Sequence, residues 1–440
     1  MQFIGFPLLL QFIFKFKDRN SLEIMIKSRK DIEIMAPAGS FESLMAAIQA
    51  GADSIYFGIQ HLNMRATSSS NFTFEDMVRI VEICNQNQIK SYLTLNTILY
   101  DHDLSIMHKI IDAAAEAGVS AIIASDQAAI FAIRARKIEL HLSTQLNISN
   151  IESLKFYANW ADVVVLAREL NLTQVSKIYE AINDQKITGP SGDLIRIEMF
   201  AHGALCMAVS GKCYMSLHEM NSSANRGACL QTCRKPYILT EKESGNELEV
   251  DNEYIMSPKD LSTIHFLNKI IDSGVRVLKI EGRARPPEYV HTVISCYNEA
   301  VHSLVDGTYS EEKIADWKQR LSTVFNRGFW DGYYLGQKLG EWSHIYGSQS
   351  TKKKVYIGKG TNYFQKIGVA EFLMETGSLD TGDEILITGS TTGVIRQKIK
   401  EIRVDNQKVS QTVKGERFSM IVDSIVRRSD KLYKIVDSVP

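Results

Sequence analysis

The chain has 440 residues, 45% of them hydrophobic and 23% charged. That is the composition of a folded protein with room for two domains, and it excludes disordered and fibrous classes. Its 50 Lys and Arg against 51 Asp and Glu leave a net charge of −1, so bulk charge argues neither for nor against a polyanionic partner.

Residues 1–17, MQFIGFPLLLQFIFKFK, are apolar over about fourteen positions. That run is too short for stable membrane insertion. It also lacks the basic start and small-residue cleavage site of a secretory signal. Residues 1–30 are therefore expected to be an extension outside the fold, with Met25 a natural internal start.

From Asp31 a strand–helix alternation sets in. IEIMA (32–36) reads as a first strand, closed by Pro37-Ala38-Gly39, with Ser40 capping the helix FESLMAAIQAG. SIYFGI (54–59) is strand two, followed by a loop with Asn63 and Arg65 and a helix over 73–87. KSYLTLNT (90–97), AIIAS (121–125), ELHLST (139–144) and DVVVLA (162–167) are strands three to six, each followed by a helix-length segment. IRIEMFAHG (195–203) is strand seven. A helix over 261–273 then precedes VRVLKIEG (275–282), strand eight, and helical material from Pro286 runs to about 321.

Eight short apolar strands separated by helices predict an α/β (β/α)8 TIM-like barrel over 31–345, with an inserted cysteine-rich loop at 203–258. An open doubly wound sheet is the rival, but no GxGxxG follows the first strand. Beyond 345 short β runs separated by Gly-Asp and Gly-Ser turns predict a small C-terminal antiparallel β-barrel domain over 346–440. From 351 onward Lys and Arg exceed Asp and Glu by five, a mildly basic surface on an otherwise acidic chain.

Four of the six cysteines, Cys206, Cys213, Cys229 and Cys233, lie in the loop after strand seven, at intervals of six, fifteen and three residues. The count gives no disulfide scaffold, so reduced cytoplasmic thiols are the expectation. Thiolates favour zinc or iron–sulfur. No CxxC knuckle is present, and the irregular spacing suits a loop wrapped around a larger object such as a 4Fe–4S cluster; a zinc ion or no metal stays open. Cys84 and Cys296 sit in helical runs and read as core thiols.

The segments HGALCMAVSGKCYMS and NRGACLQTCRKPY resemble the signature of the collagenase-like peptidase family, the class of unknown mechanism numbered thirty-two. APAG, GADSIYFG, HLSTQLNISN, VLAREL and VLKIEGRARPPEYV fit the same pattern, over about residues 31–340. The resemblance implies an oxygen-independent hydroxylase, most similar to the branch that makes 5-hydroxyuridine at the tRNA wobble position with prephenate as cosubstrate. It assigns Cys206, Cys213, Cys229 and Cys233 as ligands of a 4Fe–4S cluster.

On that reading Glu281, Arg168, Glu169 and His202 are candidates for positioning the substrate or moving a proton. Lys279, Arg283 and Arg285 are candidates for gripping a small anionic cosubstrate, because forked Arg donors match carboxylates. An ion pair between Lys279 and Glu281 is the structural alternative. Lys212, Arg226, Arg234 and Lys235 flank the cysteines as candidate phosphate contacts for tRNA, and Tyr214 and Tyr237 as candidate stacking partners for a base.

Two alternatives stand beside this one: a collagenase-like peptidase and a non-catalytic RNA-binding iron–sulfur protein. For proteolysis, His218-Glu219 begins a zincin motif, but Ser222 occupies the second His position, and no GxSxG elbow exists. A Cys206–His202 nucleophile pair is conceivable, but a cysteine held in a cluster is not a free nucleophile.

Overall fold

The computed structural model describes residues 28–66, 71–237, 239–240, 247–248, 256–337, 340–345 and 347–438. The apolar N-terminal run lies outside the described residues. Arg29, assigned to the extension, ties the segment just before β1 to the barrel: its Nη2 lies 2.9 Å from Asp53 Oδ2, and its Nε donates to Asn298 Oδ1 at 3.0 Å.

The eight expected parallel strands are present: β1 (Glu33–Pro37), β2 (Ser54–Phe57), β3 (Lys90–Leu95), β4 (Ala121–Ala124), β5 (Glu139–Leu142), β6 (Val163–Val165), β7 (Arg196–Gly203) and β8 (Val275–Ile280). Each pairs in parallel with its neighbour, and β8 pairs with both β7 and β1, so the ring closes. Helices cover the outside of the ring. Strands buried on both faces need apolar residues at nearly every position, which is why they read as short continuous runs.

Local chemistry sets the helix starts. Ser40 accepts from Ser43 N, Thr73 and Asp76 form a reciprocal capping box, and Asp126 accepts from Ala128 N. The segment 261–273 departs from expectation. Asp260–Ser262 forms a short strand antiparallel to the end of β7, and the α-helix covers only Leu267–Asp272. Thr263 Oγ1 donates to Ala201 O at 3.0 Å, so pairing with β7 overrides the helical pattern of the sequence. Residues 251–255, near the end of the expected cysteine-rich loop at 203–258, lie outside the described residues.

The C-terminal region is an eight-stranded antiparallel sheet curled around Ile357, Phe372, Ile387, Phe418 and Leu432. Its long strand Lys352–Phe364 pairs with both Lys431–Asp437 and Val369–Met374. Among the described residues no ladder joins the two end strands, Gly393–Lys398 and Gln407–Val409, so the sheet wraps its core without closing by hydrogen bonds. It docks on the barrel helix Phe41–Gln49, where Gln49 donates to Thr392 O at 2.8 Å and accepts from Val394 N at 2.9 Å. Among the described residues no helix is long and apolar enough to cross a membrane.

Candidate functional site

The cysteine loop leaves the end of β7 at Gly203, whose φ of +107° and closeness to Glu281 O (2.4 Å from where a Cβ would stand) leave no room for a side chain. From there it crosses the mouth of the barrel. Arg226 pairs with Asp103 and donates to Ile98 O at 3.0 Å, fixing the loop to the segment after β3. Arg234 donates to Leu205 O and Pro258 O, both at 2.7 Å, and to Ser257 Oγ at 3.0 Å, closing the loop on itself.

Both arginines are therefore engaged in holding the loop, which corrects their assignment as phosphate contacts. Lys235 pairs with Glu219. Tyr214 is 70% exposed and stacks on His218, and Tyr237 donates to Thr232 O at 2.8 Å.

Under the loop lies a cavity of about 210 Å³. Cys206, Cys213, Cys229 and Cys233 all border it, and all four are free thiols. Burial, with the other three cysteines adding to it and Arg234 opposing, pushes the Cys233 thiol up to about 11. Among the described residues no three His, Cys, Asp or Glu side chains stand close enough to hold a single metal ion.

The cavity collects most of the expected residues. Glu281 accepts from Arg65 Nη2 at 2.9 Å and from Tyr56 Oη at 3.3 Å. Burial raises the Glu281 pKa, but the Arg65 guanidinium, with Arg168 and Arg283, outweighs it and holds the carboxyl below its usual range. Lys279 bonds Glu198 Oε1 at 2.7 Å, so the suspected Lys279–Glu281 pair is replaced by Lys279–Glu198 and Arg65–Glu281. Arg283 donates to Thr94 Oγ1 at 2.7 Å and to Asn63 Oδ1, while its buried Nε has no partner among the described residues. Burial lowers its pKa to about 10. Arg285 packs its guanidinium 3.5 Å from the Phe325 ring centroid, and that of Arg168 lies 4.1 Å from the Phe200 centroid.

His202 does not line this cavity. It is 1% exposed, enclosed by Tyr289, Tyr297 and Phe329, and burial lowers its pKa to about 3. The cause is a register shift: Lys279 pairs with Phe200 but Ile280 with His202, so an extra residue in β7 takes His202 out of the inward series. Glu169 borders a second, adjoining cavity.

Charge in the main cavity is unbalanced. Arg65, Lys279 and Arg327 are paired, with Glu281, Glu198 and Asp260. Arg168, Arg234, Arg283 and Arg285 also border it, and among the described residues none has a carboxylate in ion-pair contact. Such a site favours anions.

Below Lys279 the barrel interior holds a polar stack absent from the sequence reading. His141 Nδ1 lies 3.6 Å from Glu198 Oε2 and its Nε2 3.2 Å from Glu139 Oε1. Arg196 bridges Glu139 and Glu33, and Tyr92 donates to Glu33 at 2.6 Å. These residues come from β1, β3, β5 and β7, the alternate strands that fill a layer in such barrels. Charged or polar residues inside otherwise apolar runs, Glu33 in β1, Glu139 and His141 in β5 and Arg196 and Glu198 in β7, were the available signal.

A family model described as peptidase family U32 matches residues 39–344. A collagenase of Porphyromonas gingivalis is 63% identical over 404 residues, 92% of this chain and 98% of its own length. A tRNA hydroxylation protein of Bacillus subtilis is 31% identical over 368 residues, 82% of this chain and 84% of its own. A solved structure described as a U32 peptidase aligns at 12% identity and a TM-score of 0.38, over 58% of this chain and 94% of that one. The match over more than half its length, together with the 63% identical relative, makes this chain a member of peptidase family U32.

Proposed function

We propose that the chain is an iron–sulfur-dependent enzyme that hydroxylates a pyrimidine base of RNA, the tRNA wobble uridine first among candidates, without O2. The observation that carries this reading is the convergence on one cavity at the barrel mouth of four free thiols and three arginines, Arg168, Arg283 and Arg285, that have no carboxylate in ion-pair contact among the described residues. Zinc bound by thiolates needs sulfurs about 2.3 Å from one point. Among the described residues no three such side chains stand close enough for one such ion, and four cysteines bordering one cavity are the ligand set of a 4Fe–4S cluster.

Cys206, Cys213, Cys229 and Cys233 would hold the cluster, which when bound supplies one-electron chemistry. Replacing C5–H by C5–OH is a two-electron oxidation, so a co-reactant must give up a hydroxyl group and take the hydrogen in its place; the arginines without carboxylate partners suit a small dicarboxylate that carries such a hydroxyl, such as prephenate. Arg283 and Arg285 would grip its carboxylates. Glu281, held ionised by Arg65, is the carboxylate placed to accept a proton. Arg168 lies on the wall between the two cavities.

A second reading, peptide hydrolysis, has the nearer relative behind it, the 63% identical collagenase. The geometry favours it less, because His202 is sealed away from the cavity that Cys206 borders. Cytoplasmic location and tRNA as partner belong to the hydroxylase reading. One pair of assays on the full, anaerobically prepared chain separates the two. Formation of 5-hydroxyuridine in substrate RNA supports the first reading, whereas gelatin cleavage with no modified nucleoside supports the second.

A further inference from the structure

Beside the thiol-lined cavity lies a second of about 170 Å³. Arg168, Leu205, Cys206, Met207 and Ala208 form the wall common to both. The two differ in chemistry: the first is bordered by arginines that have no carboxylate in ion-pair contact among the described residues, the second by the aromatic rings of Trp330, Tyr333, Tyr334 and Trp342.

The aromatic walls are fixed by backbone. Trp330 pairs with Leu261 in the short parallel ladder beside β7, and Trp342 bridges to Pro258. Tyr334 donates to Phe200 O at 2.9 Å, and Tyr333 meets Trp330 edge-on at 5.3 Å. Two buried donors on this cavity's lining residues have no acceptor among the described residues: Trp330 Nε1–H, on a side chain 5% exposed, and Arg168 Nε–H. A buried donor without an acceptor is costly, so it marks a place where a ligand supplies one. A flat ring with carbonyl oxygens on its edge answers both features, its faces meeting aromatic side chains and its oxygens the donors. A base of the uracil type has that form, and single-stranded RNA presents such bases unstacked.

We infer that the aromatic cavity is the nucleobase subsite and that the arginine-lined cavity takes the anionic cosubstrate, with Cys206 on the wall between them. This rests on the RNA-hydroxylation reading and adds where each substrate lies. The substrates are thereby separated by chemistry, ring against anion, while both border the thiol that faces each side.

The test is binding of a fluorescently labelled, uridine-containing loop oligonucleotide to the full chain, measured by anisotropy for wild type, W342A and W330F, with circular dichroism confirming the fold. W342A removes a stacking face and is expected to weaken binding about tenfold. W330F keeps the ring but removes the N–H, with an expected loss of about fivefold. An abasic nucleotide at the target position should bind wild type as weakly as uridine binds W342A, and the two tryptophan variants should not weaken it further.

Wild-type affinity in both variants, or equal affinity for abasic and uridine loops, overturns the subsite. So does displacement of the oligonucleotide by a proline-rich peptide in a Trp342-dependent manner. If binding follows the tryptophans but no RNA is hydroxylated, the subsite stands and the hydroxylase reading fails. If RNA is hydroxylated equally by all three proteins, the subsite alone fails.

Discussion

Arg65 Nη2 lies 2.9 Å from Glu281 Oε1, joining residues 216 apart in the chain across the barrel mouth. The loop after β2 is thereby fastened to the end of β8, and a carboxylate is held ionised beside Arg168 and Arg283. E281Q keeps the shape but removes the partly buried negative charge that faces Arg65. It should cost about 2 kcal/mol of stability, measured by urea unfolding, and lower hydroxylation about 100-fold. R65M/E281Q should recover stability but not activity.

Lys279 and Glu198 form a pair with side chains 7% and 0% exposed. Removing the lysine alone takes the nearer counter-charge from a buried carboxylate and leaves it His141, 3.6 Å away. K279M should therefore destabilise the protein by about 3–5 kcal/mol. K279M/E198L should lose less than K279M, a sign of coupling that a double-mutant cycle measures directly.

His141 is buried between Glu139 and Glu198, with Glu33 and Tyr92 also facing it. Burial opposes its charge, but the carboxylates win and raise its pKa above 6.5. A raised folded pKa gives stability that is fully present below the unfolded value and lost as pH rises through the folded one. Glu139 works in the opposite sense: its folded pKa of about 2 gives stability present above about 4.5 and lost as pH falls toward 2. Unfolding midpoints measured against pH should fall on the alkaline side of 6.5 for wild type, and that slope should flatten in H141Q.

Arg285 has no carboxylate partner among the described residues and stands over Phe325. R285A should raise the KM for a dicarboxylate cosubstrate about tenfold while leaving the RNA dissociation constant unchanged. R285K should not restore it, because an ammonium lacks the fork.

The barrel was legible because strands buried on two faces leave apolar runs at regular spacing, as in DVVVLA and VRVLKIEG. The cysteine loop was legible because four thiols in one polar stretch are rare by chance. Pairings were not. Glu198 and Lys279 are 81 residues apart, and a sequence names neither as the other's partner. His202 was misassigned because an irregularity between β7 and β8 changes which face it takes, and strand alternation alone does not reveal such a shift. Arg226 and Arg234 read as phosphate contacts, yet Arg226 bonds to Asp103 and Arg234 to the loop's own backbone, contacts that only the folded path creates.

The central claim is that the four thiols carry a redox centre required for RNA hydroxylation. Its most direct test is nucleoside mass spectrometry of tRNA from a strain lacking this gene and any redundant enzyme, complemented with wild type or C229A, alongside iron and sulfide content of each protein purified anaerobically. The account predicts about four iron and four sulfide per wild-type chain with 5-hydroxyuridine restored, and loss of both in C229A. A colourless wild-type protein, or 5-hydroxyuridine restored equally by C229A, would contradict it.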